Sequence, residues 1–253
     1  MKKYNLNFIS DKDLYHRVKK VINEYKLEMD LQKFNSNLID PIKLTFDSKV
    51  YKMSNLEIVD VEVARQKDKT VSNSIGYFHQ NMFKHIINTE TKSSDWTVPK
   101  KGFDIINQKE KIFVEMKNKH NTMNSSSSQK TYNKMQDKLS EDNQNRCYLV
   151  EVISKNSQNI VWKIKVDGKD ESNENIRRIS IDKFYEIVTG EKESFKQLVE
   201  TIPIVMDDIL KDDPSKITKN NVYSELLEKD ENIIKSLHFI IFWKIWRFQK
   251  IKI

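Results

Sequence analysis

With 253 residues, the chain has length for one large domain or a core with a small appendage, and enough to bury a hydrophobic interior. Hydrophobic residues at 38% and aromatics at 10% exclude a disordered chain, although 32% of residues are charged. The excess of 44 Lys and Arg over 37 Asp and Glu gives a net charge of +7, which favours an anionic partner such as nucleic acid over a neutral metabolite. The single cysteine, Cys147, excludes an internal disulfide framework and any zinc ribbon of several thiolates. Neither GxGxxG nor GxxxxGK[ST] occurs, so nucleotide cradles of those kinds are excluded too. The N-terminus has no apolar signal core. The longest apolar run, Leu237 to Trp246, is broken by His238 and Lys244 and falls short of the roughly 20 residues of a membrane span. A soluble, cytoplasmic protein with no membrane partner is the expectation.

Ser10-Asp11-Lys12-Asp13 has the form of a capping box, and Leu14, Val18, Val21, Ile22 and Tyr25 follow at helical spacing, predicting an amphipathic first helix. The turn-rich FNSNLIDP, with Pro41, ends that segment. Leu56, Val59 and Val63 predict a second helix over 54–68, and Ile75, Phe78, Met82 and Ile86 a third over 75–87. The period then shortens to two. Phe103 to Asn107 and Lys111 to Lys117 read as strands joined in a hairpin by Gln108-Lys109-Glu110. The polar stretch 118–145 opens as a loop and continues as a helix. Cys147 to Ile153 reads as a strand buried on both faces, and Ile160, Val161, Trp162, Ile164 and Val166 as one alternating strand that ends in a DGK turn. Beyond Ile179 the pattern is helical again: Phe184, Ile187 and Val188, then Phe195, Leu198, Val199 and Ile202, then a further helix to Leu210. These elements predict an α/β fold with a central mixed β-sheet flanked by helices. The expected organisation is a single domain over 1–253: an N-terminal helical part of about 1–95, a core of about 96–190 and a C-terminal helical part of about 191–253.

The hairpin carries the chemistry. If it turns at Lys109-Glu110, Asp104 stands directly opposite Glu115, where Cβ atoms on a shared face are about 5 Å apart. Two carboxylates that close repel unless a cation lies between them, and Mg²⁺ prefers oxygen donors. Lys117, two residues beyond Glu115, projects to the same face and can meet a scissile phosphate or orient an attacking water. Met116 turns its side chain to the core with Ile112 and Val114, leaving its carbonyl oxygen for the metal. An ExK triplet is also common as an ordinary exposed pair on a strand. The apolar strand before it, the register of Asp104 and the basic composition favour the nuclease reading.

Pro99 through Lys117 resembles the PD-(D/E)xK nuclease motif, with Lys100, Lys101, Gly102 and Phe103 separating Pro99 from Asp104. More specifically, FNSNLIDPIKLTFDSKVY, IGYFHQNMF, VPKKGFDIINQKEKIFVEMKNKHNTMNSSSSQKTY, CYLVEVISK and IRRISIDKFYEIVTG are similar to type II restriction endonucleases that cut GGNCC or GGWCC sites. The resemblance implies a restriction-endonuclease-like core and a homodimer that cleaves both strands of a short double-stranded DNA palindrome with Mg²⁺. It also implies a companion DNA cytosine methyltransferase in the same system. Carried over by residue, Asp104 and Glu115 are metal ligands and Lys117 the catalytic lysine. A structure-specific or repair nuclease and a catalytically silent DNA-binding module remain as alternatives.

Asn118, Lys119, His120, Asn121, Thr122, Asn124 and Ser125, leaving the catalytic strand, are placed to contact bases or phosphates, against the plainer reading of a solvated loop that caps the next helix. Lys100, Lys101, Arg177 and Arg178 are candidates for phosphate contacts or for solvated faces. His79 and Gln80 read as interior residues or as supports of the site, and Glu57 and Glu62 are weaker metal candidates. Cys147 reads as a core thiol. Trp96, Trp162, Trp243 and Trp246 read as core or interface residues.

Overall fold

The centre of the protein is a six-stranded mixed sheet of order β1-β2-β3-β4-β8-β5, seen in a computed structural model that describes residues 3–25, 28–212, 221–231, 233, 236 and 237. Its strands are β1 (Trp96–Thr97), β2 (Ile105–Asn107), β3 (Ile112–Lys119), β4 (Arg146–Ile153), β8 (Ile176–Ser180) and β5 (Asn159–Val161). The β1-β2-β3 edge is antiparallel, β3-β4-β8 is parallel, and β5 returns antiparallel on β8. Helix α5 (Ser125–Glu141) makes the crossover from β3 to β4. This is the expected α/β fold, a mixed sheet flanked by helices.

The hairpin register is the predicted one: Ile105 pairs with Val114, Ile106 with Phe113 and Asn107 with Ile112. Asn107 fixes the turn, its side-chain oxygen accepting the Glu110 N–H at 3.0 Å. On one face of the sheet Phe113, Cys147, Leu149 and Ile176 pack with Tyr132, Met135 and Leu139 of α5 and with Trp162. On the opposite side, α6 (Ile181–Thr189) supplies Phe184 and Tyr185 to an aromatic cluster. Phe83 lies 5.1 Å from both rings, and Trp96 lies 5.6 Å from Phe184. Cys147 to Val150 are therefore buried from both sides, as their unbroken apolar run requires.

Contacts divide the chain into two compact units, Met1–Val21 with Ile75–Asp213, and Ile22–Ser74 with Pro214–Ile253. The first holds the sheet. The second has its own core, in which Phe34, Ile39, Leu44, Ile58 and Val63 pack with Val222 and Leu226 of α8 (Val222–Leu227).

Several local expectations are corrected. The first helix, α1 (Asp11–Tyr25), forms with its predicted cap, Ser10 Oγ accepting the Asp13 N–H at 3.1 Å. Pro41 does not close a segment but opens one: α2 (Leu31–Ser36) precedes it, and α3 (Pro41–Val50) begins with proline at its first turn and Asp40 accepting the N–H groups of Ile42 and Lys43. Proline lacks only an N–H that a first turn leaves unbonded in any case. The two helices expected over 54–68 and 75–87 are one helix, α4 (Asn55–Met82), since no proline interrupts 69–74 and the single Gly76 is tolerated. The two stretches after α6 are likewise one helix, α7 (Ser194–Asp212), which contains Pro203.

The single strand expected over 160–166 is two strands in different sheets. β5 ends at Val161, while β6 (Ile164–Val166) pairs with β7 (Lys169–Glu171) through a tight turn at Asp167 and Gly168, both with positive φ. Strand β8 was not predicted, because Arg177 and Arg178 interrupt its apolar pattern. Trp243 and Trp246 lie outside the described residues.

His79 is a partly buried residue of α4: its Nδ1 is buried with no partner among the described residues, and burial pushes the imidazole pKa down to about 4. A base whose folded pKa is depressed contributes stability above its unfolded value near 6.5, and that stability is lost as pH falls towards 4. Denaturant unfolding between these pH values should show a decline shallower by on the order of 2 kcal/mol in His79→Phe than in the wild type. Parallel curves would remove His79 from the pH response.

Candidate active site

The hairpin delivers an acid from each strand. Gly102, with φ of +92°, turns the chain ahead of β2, and Phe103 is buried 5.4 Å from Phe113. Asp104 follows, one residue outside β2. Its N–H donates to the Val114 carbonyl at 2.9 Å, and its carboxylate accepts the Met116 N–H at 2.8 Å. The side chain thus lies along β3 where Glu115 and Met116 leave it.

Glu115 is only 7% exposed, on the α5 face of β3. Burial of a carboxylate is costly unless it is paired, and both its oxygens are met by ammonium groups. Lys117 Nζ lies 3.7 Å from Oε2, and Lys134, from α5, forms a direct ion pair with Oε1. Lys134 also donates to the Gly102 carbonyl at 2.8 Å and lies 4.4 Å from the centre of the Phe103 ring. Asp104, Glu115, Met116 and Lys117 are thus gathered at one end of the hairpin. Among the described residues there is no cluster of three or more His, Cys, Asp or Glu, so a cation here would draw on two carboxylates and on main-chain oxygen.

Beside this group, Lys117 pairs in register with Glu151 of β4. Glu151 is 1% exposed and fully engaged: Arg178 of β8 reaches it through Nε at 2.8 Å and through Nη2, His120 Nδ1 lies at 3.0 Å, and the Ser154 hydroxyl donates at 3.3 Å. Arg178 also donates to the His120 carbonyl at 3.1 Å, and the His120 N–H donates to the Ile153 carbonyl at 3.0 Å. One buried acid therefore ties the ends of three parallel strands together. Arg178, His120, Lys119, Asn121, Lys163 and Lys165 line a cleft of about 870 Å³ beside this network. With Lys155, its wall carries five Lys and Arg side chains that suit a polyanion.

The other sequence candidates separate by position. Asn124 and Ser125 also line this cleft, but the Asn124 side-chain oxygen is committed to capping α5, accepting the Ser127 N–H at 2.9 Å. The Thr122 hydroxyl is turned back to the Lys119 carbonyl at 2.9 Å, and Asn118 is half-buried on β3. Lys100 and Lys101 are exposed ahead of Gly102. Arg177 is bonded to Asn159 of β5, its Nε 2.7 Å from the side-chain oxygen. Glu57 accepts the Ser54 N–H and hydroxyl at the start of α4, which lowers its pKa, and Glu62 is bound by Arg65 and Gln66. Both are occupied within α4. Cys147 is buried, and burial pushes its thiol up to about 12, as suits an inert core residue.

Lys134 and Glu151 were missed by sequence reasoning. Lys134 is one of several lysines on a polar helix, and only the packing of α5 under Phe103 singles it out. Glu151 sits within CYLVEVI, where an acid inside a doubly buried strand was a usable signal for a paired, buried charge.

Comparison with known proteins decides the family. The profile of the Eco47II restriction endonuclease family matches residues 6–211. The chain belongs to the Eco47II restriction endonuclease family. It is 32% identical over 214 residues to the type II restriction enzyme Sau96I of Staphylococcus aureus, covering 80% of each chain. It is 29% identical over 216 residues to the type II restriction enzyme Eco47II of Escherichia coli, covering 81% of this chain and 88% of that one. The resemblance read from the sequence is thereby borne out, and this family member is a site-specific deoxyribonuclease. The matched span contains the hairpin, α5 and the Glu151 network. Among the described residues no helix is long and apolar enough to cross a membrane.

The Glu151 network predicts a stability signature. Glu151→Gln leaves the Arg178 guanidinium without its carboxylate and should cost about 3 kcal/mol in chemical denaturation, whereas Glu151→Leu combined with Arg178→Leu should recover most of that loss. A double variant no more stable than Glu151→Gln would argue that the ion pair itself, and not the orphaned charge, sets the cost.

Proposed function

We propose that this restriction endonuclease hydrolyses both strands of a short GGNCC-type palindrome with Mg²⁺, using Asp104, Glu115 and Lys117. The observation that carries the assignment is the β2–β3 hairpin: it brings two carboxylates and a lysine together within a family of DNA-cleaving enzymes.

The donor set fits a hard divalent ion. Asp104 and Glu115 offer carboxylate oxygens, Met116 offers a carbonyl, and neither sulfur nor imidazole competes in the group. Lys134 already places a cation against Glu115 and the Gly102 carbonyl, which supports this spot as favourable for positive charge. When bound, Mg²⁺ supplies Lewis acidity toward the phosphate and a more acidic water. Asp104 and Glu115 hold it. Lys117, beside Glu115, orients the attacking water and places positive charge against the phosphorane-like transition state. His120, Lys119 and Asn121 face the cleft and position the strand, together with Asn118, Thr122, Asn124, Ser125, Lys100 and Lys101 along the hairpin and loop. Arg178, fixed by Glu151, presents positive charge to the same strand.

A palindrome is read most simply by two identical subunits, so the working form is a homodimer. Its natural setting is the cytoplasm, beside a DNA cytosine methyltransferase that protects host sites.

Plasmid digestion tests the reading. With Mg²⁺ the protein should give discrete fragments whose ends map to GGNCC-type sequences, and EDTA should abolish cutting. Nicks confined to junctions or ends would indicate a structure-specific nuclease, and failure to cut would indicate a binding module. Lys117→Ala should lower the cleavage rate by at least about 10³-fold with specific binding, read by gel shift, within about threefold of wild type. Loss of binding in step with cleavage would overturn the role of Lys117.

A further inference from the structure

Lys134 has no part in the family motif, yet it makes more contacts at the site than Lys117. Its ammonium is paired to Glu115 Oε1, accepts nothing, and donates also to the Gly102 carbonyl at 2.8 Å. It lies 4.4 Å from the Phe103 ring centre, where the ring's electron-rich face favours a cation. The partners are an anionic oxygen, a main-chain carbonyl and an aromatic face, and the two oxygens are of the type a hard divalent ion takes. Lys117 stands off at 3.7 Å from the other oxygen of the same carboxylate.

We propose that Lys134 is the resident counter-cation of this site: it neutralises Glu115 in the metal-free protein and must release Glu115 and the Gly102 carbonyl when a divalent ion is bound. The inference rests on the reading of Glu115 as a metal ligand. Its physical basis is that Glu115 is nearly buried, and a buried carboxylate is costly unless a cation is paired with it. Lys134 comes from α5, not from the hairpin, and its side chain is 37% exposed, so its flexible stem can swing away while the helix stays packed through Tyr132, Met135 and Leu139. Release returns one positive charge to the mouth of the site. A DNA phosphate is the ligand that would accept it there, so DNA and metal should each tighten the other's binding, as linkage requires.

Two measurements on the full chain without DNA test the assignment. In the first, Mn²⁺ binding is followed by electron paramagnetic resonance for wild type, Lys134→Met, Lys117→Met and Glu115→Gln. Lys134→Met should bind Mn²⁺ about tenfold more tightly than wild type, because the ammonium paired to the Glu115 carboxylate no longer competes for it. Lys117→Met, which removes equal charge at longer range, should gain clearly less. Equal gains in the two variants would reduce the effect to net charge and overturn the proposal, as would unchanged or weaker binding in Lys134→Met.

Glu115→Gln separates the two readings. If it binds Mn²⁺ as well as wild type, Glu115 is not a ligand and the metal-site reading fails with the inference. If it loses binding while Lys134→Met gains nothing, only the role of Lys134 fails.

The second measurement needs no substitution at Lys134. Acetylation of wild-type lysines, quantified by peptide mass spectrometry, should proceed several-fold faster at Lys134 when Mn²⁺ is present, and Glu115→Gln should abolish that dependence. Equal reactivity with and without Mn²⁺ in the wild type would overturn the proposal.

Discussion

Everything at the candidate site depends on the register of β2 against β3. Side chains alternate along a strand, so a slip of one residue would turn Glu115 and Lys117 toward the aromatic side of the sheet and send Met116 into the polar one. Three features fix the register together. Asn107 caps the turn, Phe103 packs on Phe113, and the Asp104 carboxylate accepts the Met116 N–H. The third is notable because a residue of the candidate site also serves the hairpin that presents it. Asp104 thus supports the hairpin as well as standing in the candidate site, and a substitution there disturbs the register itself.

The parallel half of the sheet solves a different problem. A βαβ crossover buries the strands on both faces, and this protein places charges within that layer at Glu115 and Glu151. Each buried carboxylate is met by a neighbour on its own segment and by donors from elements distant in sequence: Lys117 and then Lys134 at Glu115, Ser154 and then Arg178 and His120 at Glu151. The two networks sit on adjacent strands, joined by the pairing of Lys117 with Glu151. They differ in rigidity. Arg178 grips Glu151 through two nitrogens of a planar fork, whereas Lys134 meets Glu115 through a single ammonium on a flexible stem. The first suits a fixed frame, and the second suits a partner that can be exchanged.

Much of this was legible in the sequence because the informative segments are local. A hairpin of two short strands has few registers, and the apolar alternation Ile112, Val114, Met116 selects the observed one. The doubly buried β4 and the amphipathic α1 were legible for the same reason, each carrying its own period. What failed was punctuation and long-range placement. Pro41 reads equally well as a stop or a start, and only the Asp40 cap distinguishes them. Residues 69–74 lack apolar periodicity without containing a helix breaker, so a continuous helix looked like two. β8 hid behind its arginines, one of which is drawn inward by an acid on a neighbouring strand. Lys134 was beyond sequence reasoning because its meaning depends on how α5 lies across the sheet, which no local pattern encodes.

The contrast between the hairpin and its surroundings lies in how their charges are paired. Asp104, Glu115 and Lys117 come from a single hairpin and are assembled as soon as it pairs, before any substrate arrives. A pair of acids assembled in that way is strained by repulsion and by desolvation unless it is neutralised at once. Lysines are suited to this because an ammonium is compact and strongly hydrated, so it can leave for water or for a phosphate at little cost, whereas a guanidinium held through two of its nitrogens leaves less readily. The observed arrangement has lysines at Glu115, the acid of the candidate site, and an arginine at Glu151, the acid that joins the strands.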